Sequence, residues 1–237
     1  MASQPMNYMF VEGPHDEAVI TQLCRSNSVL RSAEVRFQFK VCEGVDNLMR
    51  DIREPFHLQD EDPETAGAEV FQEMLEIVAV STKTAPIVGI VVDADDFPER
   101  RWQALRDRLI KRYDKFPKHP PPGGLILPRQ PNGGARLGVW LMPDNCIEGM
   151  MESFLVKLAP DGDSLVACAA KALESLPEQR FRDAHRSKAL LHTWLAWQRE
   201  PGVRPALALK SRLLDPEHIQ TQAFVSWLKE LFAPASP

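Results

Sequence analysis

Four carboxylates at two places along this chain have the types and spacing that metal chemistry uses. In MFVEGPHDEAVI (residues 9–20) a short apolar run stops at Glu12, and Asp16 follows four residues later on the first turn of an expected helix. In APIVGIVVDADDF (85–97) a continuous β-branched run ends on Asp93, with Asp95 two residues on. Carboxylates gathered in one place repel unless a cation shares them; without one, their pKa values rise or the loops splay. An all-oxygen set of this kind suits a hard divalent cation, Mg2+ (or Mn2+), held by a few carboxylates and waters. Taken singly, the acids also have plainer readings. Asp95 or Asp96 can cap the following helix, and Asp16 or Glu17 can favour a helix N-terminus electrostatically. Glu12 and Asp93 fit those readings less well, because both end apolar strands where an unpaired carboxylate is costly. A third arrangement has Arg or Lys from 100–112 neutralising the acids. Spacing alone leaves metal and structure both open.

The elements around these acids decide whether they meet. NYMFVE (7–12) reads as a short strand, and PHDEAVITQLCRS as a helix with Pro14 suited to its first turn. RFQFKVCEG (36–44) alternates like a partly exposed strand, VDNLMRDIREPF (45–56) is helical, and HLQDEDPETAG (57–67) is an acidic loop. GAEVFQEMLEIVAVSTK is helical, and the 85–97 stretch suits a central strand covered on both faces. A helix then runs from Asp96 to about Lys115, with an acid available as cap. KFPKHPPPGG must be irregular, LILP (125–128) and RLGVWLMP (136–143) are further strands, and from Ile147 onward the pattern is helical. Alternating strands and helices through residue 143 mean an α/β fold with a mostly parallel sheet flanked by helices and a helical C-terminal extension. The division expected is a core over 1–146 and a helical part over 147–237 packed on it, or one single domain. In open α/β sheets the functional crevice lies beyond the carboxyl ends of the strands. If the strands ending at Glu12 and Asp93 are parallel neighbours, their acids converge there.

Composition narrows the classes. The chain has 237 residues, a net charge of −5 and 44% apolar residues, enough for a sizeable core. The net charge argues against a general polyanion binder. The balance is uneven, however: RRWQALRDRLIKRYDKFPKH (100–119) is strongly basic with Trp102, Tyr113 and Phe116 interleaved. Such a segment can lie along phosphates, through Arg100, Arg101, Lys111 and Arg112, or can be a solvated helix face paired with Asp107 and Asp114. No apolar run is long enough to span a bilayer, and the N-terminus lacks a secretion pattern, so a cytoplasmic protein is expected. Cys24, Cys42, Cys146 and Cys168 read as scattered buried thiols. No GxxxxGK[ST], GxGxxG or HExxH motif is present.

Together the residues carry a resemblance. Glu12-Gly13 after an apolar strand, and Asp93-Ala94-Asp95 after IVGIVV, look like the two signature motifs of the TOPRIM fold. The ordered set VEGPHDEAVI, VVDADDFPERRW, GVWLMPDNCIEGMMESFL and KALLHTWLAW is similar to a small standalone TOPRIM-like family of bacterial proteins, over nearly the whole chain. It also resembles the nucleases related to the overcoming-lysogenization-defect (OLD) proteins. That resemblance implies Glu12, Asp16, Asp93 and Asp95 as metal ligands and Glu152 in GMMESFL as a candidate second-metal ligand. It implies Lys188 in HRSKALLHTW as a transition-state cation, and Glu12 alternatively as general acid or base. Met150 stands where those nucleases usually carry Ser, and Phe97 removes the longer DxDxD of topoisomerases. The implied activity is Mg2+-dependent hydrolysis of nucleic-acid phosphodiester bonds, in DNA or RNA. The other reading is a non-catalytic interaction or nucleotide-binding module. OLD-type nucleases couple this fold to an ATPase, which the resemblance implies here as a separate protein, with phage defence as the implied setting.

Smaller signals surround this set. His185, Lys188 and His192 share one helix face, read as a hydrogen-bonded polar face. His15 sits beside the acids. Trp194 and Trp197 read as core anchors, and Pro143-Asp144-Asn145 as a turn.

Overall fold

The computed structural model describes residues 6–29, 37–41, 63–130 and 134–233. The helix expected over 45–56, the loop residues 57–62 and the ends of the 36–44 strand lie outside them. Five strands form one sheet: β1 (Asn7–Val11), β2 (Phe37–Val41), β3 (Ile87–Asp93), β4 (Leu125–Leu127) and β5 (Arg136–Met142). Their order is β2-β1-β3-β5-β4; all neighbours are parallel except β4, which runs antiparallel to β5. The sheet is therefore mostly parallel, and β1 and β3 are adjacent.

Both faces are covered, which is why β3 and β5 read as unbroken apolar runs. Alternate residues serve the two faces. Phe10, Ile90, Val92, Val139 and Leu141 pack with α2 (Pro63–Thr84) and α3 (Pro98–Leu109). Met9, Val11, Val91, Trp140 and Met142 pack with α1 (Pro14–Ser26) and the C-terminal helices. Those helices are α4 (Met151–Val156), α5 (Ser164–Glu174), α6 (Arg186–Ala196), α7 (Pro205–Lys210) and α8 (Gln222–Leu231). The last of them sits close because Gly89 and Gly138 are register partners on that face. A Cβ on Gly138 would lie 2.4 Å from Leu231 Cδ2 and 2.9 Å from Trp227 Cζ2. The two glycines thus form a notch that lets Leu231 and Trp227 reach the sheet, each burial contributing roughly 2–3 kcal/mol.

Several boundaries differ from the sequence reading. Helix α2 begins at Pro63, inside the acidic stretch read as a loop; proline suits a first turn, which needs no N–H from it. Helix α3 is capped by Phe97 rather than by an acid, since the residue before Pro98 is biased away from helical backbone. It stops at Leu109 instead of Lys115. There the chain turns so that Tyr113 and Phe116 join Trp102 in the core, with Tyr113 Oη donating to Ala135 O at 2.8 Å. Helix α4 starts only at Met151, because residues before it are held extended against the end of β3. Helix α7 falls within the stretch read as helical from Ile147 onward, and Pro205 at its start is a legible signal. Cys24 is buried, but Cys146 and Cys168 are exposed, and Trp197 is exposed where Trp194 is buried. Among the described residues no helix is long and apolar enough to cross a membrane.

Candidate functional site

The carboxyl ends of β1 and β3 bring Glu12 and Asp93 together. The backbone N–H of Asp93 donates to Glu12 Oε1 at 3.1 Å, so the side chain after one strand ties down the last residue of its neighbour. Asp93 Oδ1 in turn accepts from Met151 N at 2.8 Å, joining β3 to the first residue of α4. Ala94 N donates to Met142 O at 3.0 Å, continuing the parallel ladder toward β5. The end of β3 is thus braced on both sides.

Asp95 is placed by strain as well as bonding. Its φ is +51°, in the left-handed region that non-glycine residues rarely occupy, and conformations of this kind concentrate at functional sites. Two backbone bonds hold it there: Asp95 N to Gly149 O at 2.9 Å, and Gly149 N to Asp95 O at 2.8 Å. Gly149 is itself at φ +133°, and a Cβ on it would come within 2.7 Å of Ser153 Oγ. The carboxylate of Asp95 accepts from Arg101 Nε at 3.1 Å and pairs closely with Arg101 Nη2. Arg101 Nη2 also lies 4.0 Å from Glu12 Oε1, and the guanidinium stacks over Phe71 at 4.3 Å. Asp16 accepts from Gly13 N at 2.9 Å, the helix-start role that its position suggests.

These acids open onto a cleft of about 450 Å³. Glu12, Asp16, Asp93, Asp95 and Glu152 all line it, so the five carboxylates named as candidate metal ligands border one space. Lys188 lines it too, with Nζ 3.7 Å from Glu152 Oε1. His185 and His192, read from the sequence as a polar helix face, lie on that wall, and His15 borders the acids. Ser153 Oγ donates to Ser187 Oγ at 2.9 Å, fastening α4 to α6 beneath this wall. Arg182, which the sequence reading passed over, lies here beside His185, the two side chains 3.2 Å apart. Its only sequence signal is its place three residues before that histidine.

The basic segment divides. Arg101 lines the cleft, whereas Arg100, Lys111 and Arg112 are not among its lining residues; Arg100 stacks instead over Phe97 at 4.3 Å. Trp102, Tyr113 and Phe116 are buried and unavailable to stack on bases. Among the described residues no ion pair joins the segment's Arg and Lys to Asp107 or Asp114: Asp107 accepts from Gln103, and Arg108 pairs with Glu76 across to α2. Asp144 accepts from the N–H groups of Cys146 and Ile147, which is the turn role its position suggests.

Crowding is visible in the electrostatics. Burial, opposed by Arg101 and reinforced by Asp95 and Asp16, pushes Glu12 up to about 7. Asp93 is raised well above the usual carboxylate range, by burial first and then by Glu12, Asp16, Glu152 and Asp95. For Arg101, burial works against its charge, but Glu12 and Asp95 outweigh it and its pKa is raised. Among the described residues no three His, Cys, Asp or Glu side chains already stand grouped to hold a metal ion. Asp95 faces Arg101, Asp16 faces Gly13, and Asp93 faces Met151, so one oxygen of each carboxylate is engaged in a protein contact.

The chain belongs to the family described as "Protein of unknown function (DUF3226)", whose model matches residues 6–233. No curated protein and no solved structure matches it significantly.

Proposed function

We propose that this protein is a TOPRIM-type, Mg2+-dependent nuclease that hydrolyses phosphodiester bonds in the cleft between the sheet edge and α6. The observation carrying this reading is that one cleft is lined by acids on the sheet side, Glu12, Asp16, Asp93 and Asp95, and by Arg182, His185 and Lys188 on the helical side. Hydrolysis of a phosphodiester needs both: oxygens that collect a cation, and positive groups that meet the phosphate.

The donor set fits a hard divalent cation. It is entirely carboxylate; burial first, and then the neighbouring acids, raise Glu12 and Asp93, so these are the groups a cation would relieve. Glu12, Asp16 and Asp93 would hold the ion, with Asp95 joining on release from Arg101 and Glu152 serving a second position. When bound, the ion supplies Lewis-acid charge and lowers the pKa of water. The chain's own residues do the remainder. Lys188 and Arg182 bind and orient the phosphate, adding charge stabilisation where negative charge grows. In place of ligating the ion, Glu12, which burial pushes up to about 7, could act as general acid or base. Met151 N fixes Asp93 through Oδ1, so the carboxylate does not swing away. Cleavage of plasmid DNA or RNA with Mg2+ or Mn2+ tests this reading: wild type should cut and Asp93→Ala should not. No hydrolysis of either substrate by the folded, metal-supplied protein would refute it.

The Arg101 pair with Asp95 favours a second reading. A cluster already neutralised by a guanidinium suits a non-catalytic module that binds a nucleotide or works with a separate ATPase protein. Metal-free binding of a nucleotide without any cleavage would select it.

A further inference from the structure

Arg101 is the cation that the acids already have. It reaches them from the first turn of α3, bonding Asp95 through both Nε and Nη2, with Nη2 4.0 Å from Glu12 Oε1. Its side chain is only 18% exposed, and the flat guanidinium is sandwiched between the acids and the Phe71 ring. Asp95 is presented to it by a left-handed backbone that the Gly149 bridge enforces. A surface ion pair would not need such support. A planar guanidinium, always charged and weakly hydrated, is suited to a half-buried acid cluster, whereas an ammonium is not.

Resting on the metal reading above, we infer that Arg101 is a built-in substitute cation, which neutralises Glu12 and Asp95 in the metal-free protein and must leave Asp95 before a divalent ion is held. Two positive species compete for the same oxygens. The fold is thereby kept stable without metal, and the guanidinium sets a threshold on affinity that monovalent ions do not reach. Once displaced, Arg101 remains tethered by α3 at the cleft, in position to meet the phosphate whose charge the ion shares. The same side chain would then serve the acids in one state and the substrate in the other.

The experiment is a titration of the full-length, metal-free protein with MnCl2, followed by the EPR signal of free Mn2+ and by thermal melting. Wild type, Arg101→Gln and Arg101→Lys are compared. Removing the competitor should tighten Mn2+ binding about tenfold or more. Arg101→Gln should melt lower than wild type without metal and gain more on adding Mn2+, while Arg101→Lys falls between. If wild type binds Mn2+ and Arg101→Gln binds it equally or more weakly, the substitute-cation role is overturned and the metal reading survives. If neither binds Mn2+, both are overturned.

Discussion

Glu12 and Asp93, 81 positions apart in sequence, are joined by a hydrogen bond from the Asp93 backbone to the Glu12 carboxylate. The bond exists because β1 and β3 are parallel neighbours, and it makes the two strand-end acids a single unit. Disturbing either should therefore disturb the other.

Asp93→Asn and Asp93→Ala should separate charge from hydrogen bonding. Asparagine keeps an acceptor for Met151 N while removing a buried negative charge; alanine removes both. We expect Asp93→Asn to melt no lower than wild type in EDTA, and Asp93→Ala to be less stable than Asp93→Asn by about 1–3 kcal/mol, the cost of an orphaned N–H. Both should lose stabilisation by Mn2+. Parallel thermal melts with and without metal would read each effect.

Stability should depend on pH in the direction opposite to ordinary acid denaturation. Glu12 is raised from 4.5 to about 7, and Asp93 is raised as well, so the folded state binds more protons than the unfolded state between about pH 4.5 and 7. Stability contributed by these two groups is full below that window and is lost as pH rises through it. Metal-free protein should lose Tm from pH 5 to pH 8, and the gain from added Mg2+ should grow over the same interval, since the cation and the protons compete. A Tm that rises with pH in EDTA would count against the crowded-acid description.

Gly149→Ala should act on the site through the backbone. The residue sits at φ +133°, and the new Cβ would meet Ser153 Oγ and Cβ at 2.7 and 3.0 Å. The expected loss is about 1–3 kcal/mol, with the left-handed Asp95 released from its bridge. The proposed nuclease activity should fall more than stability alone explains. Measuring activity well below the variant's own Tm distinguishes the two.

The helical wall should carry the contact with nucleic acid. Lys188→Gln and Arg182→Gln, which line the cleft, should each weaken binding of a short oligonucleotide and flatten its salt dependence by about one unit of slope. Arg100→Gln and Lys111→Gln, outside the cleft, should change it little. Fluorescence anisotropy across a salt series reads both sets. Equal losses from all four would move the path of the strand out onto α3.

How much of this site is legible in the sequence depends on the residue. Glu12 and Asp93 are legible because a carboxylate ending an apolar run is costly anywhere except at a crevice or a cation, whereas Asp95 two residues on reads equally well as a helix cap. The parallel sheet follows from β3, whose unbroken IVGIVV needs cover on both faces. Arg101 is legible as a charge but not as a partner, since a cation one turn into a helix looks the same whether it faces water or acids. Arg182 and His192 reach the cleft only through the way α6 docks on α4, a packing set by contacts such as Ser153 with Ser187. The interleaved aromatics of 100–119 mislead for a related reason: Trp102 faces inward from α3, Tyr113 and Phe116 join it from the turn after Leu109, and spacing does not say which side chains a sheet will cover.

The most direct measurement is an anomalous difference map from a crystal soaked in Mn2+. The account predicts a peak about 2.1 Å from oxygens of Glu12, Asp16 and Asp93, with Arg101 moved off Asp95. A map with no peak at these carboxylates, and the guanidinium still seated on Asp95 at saturating Mn2+, would contradict it.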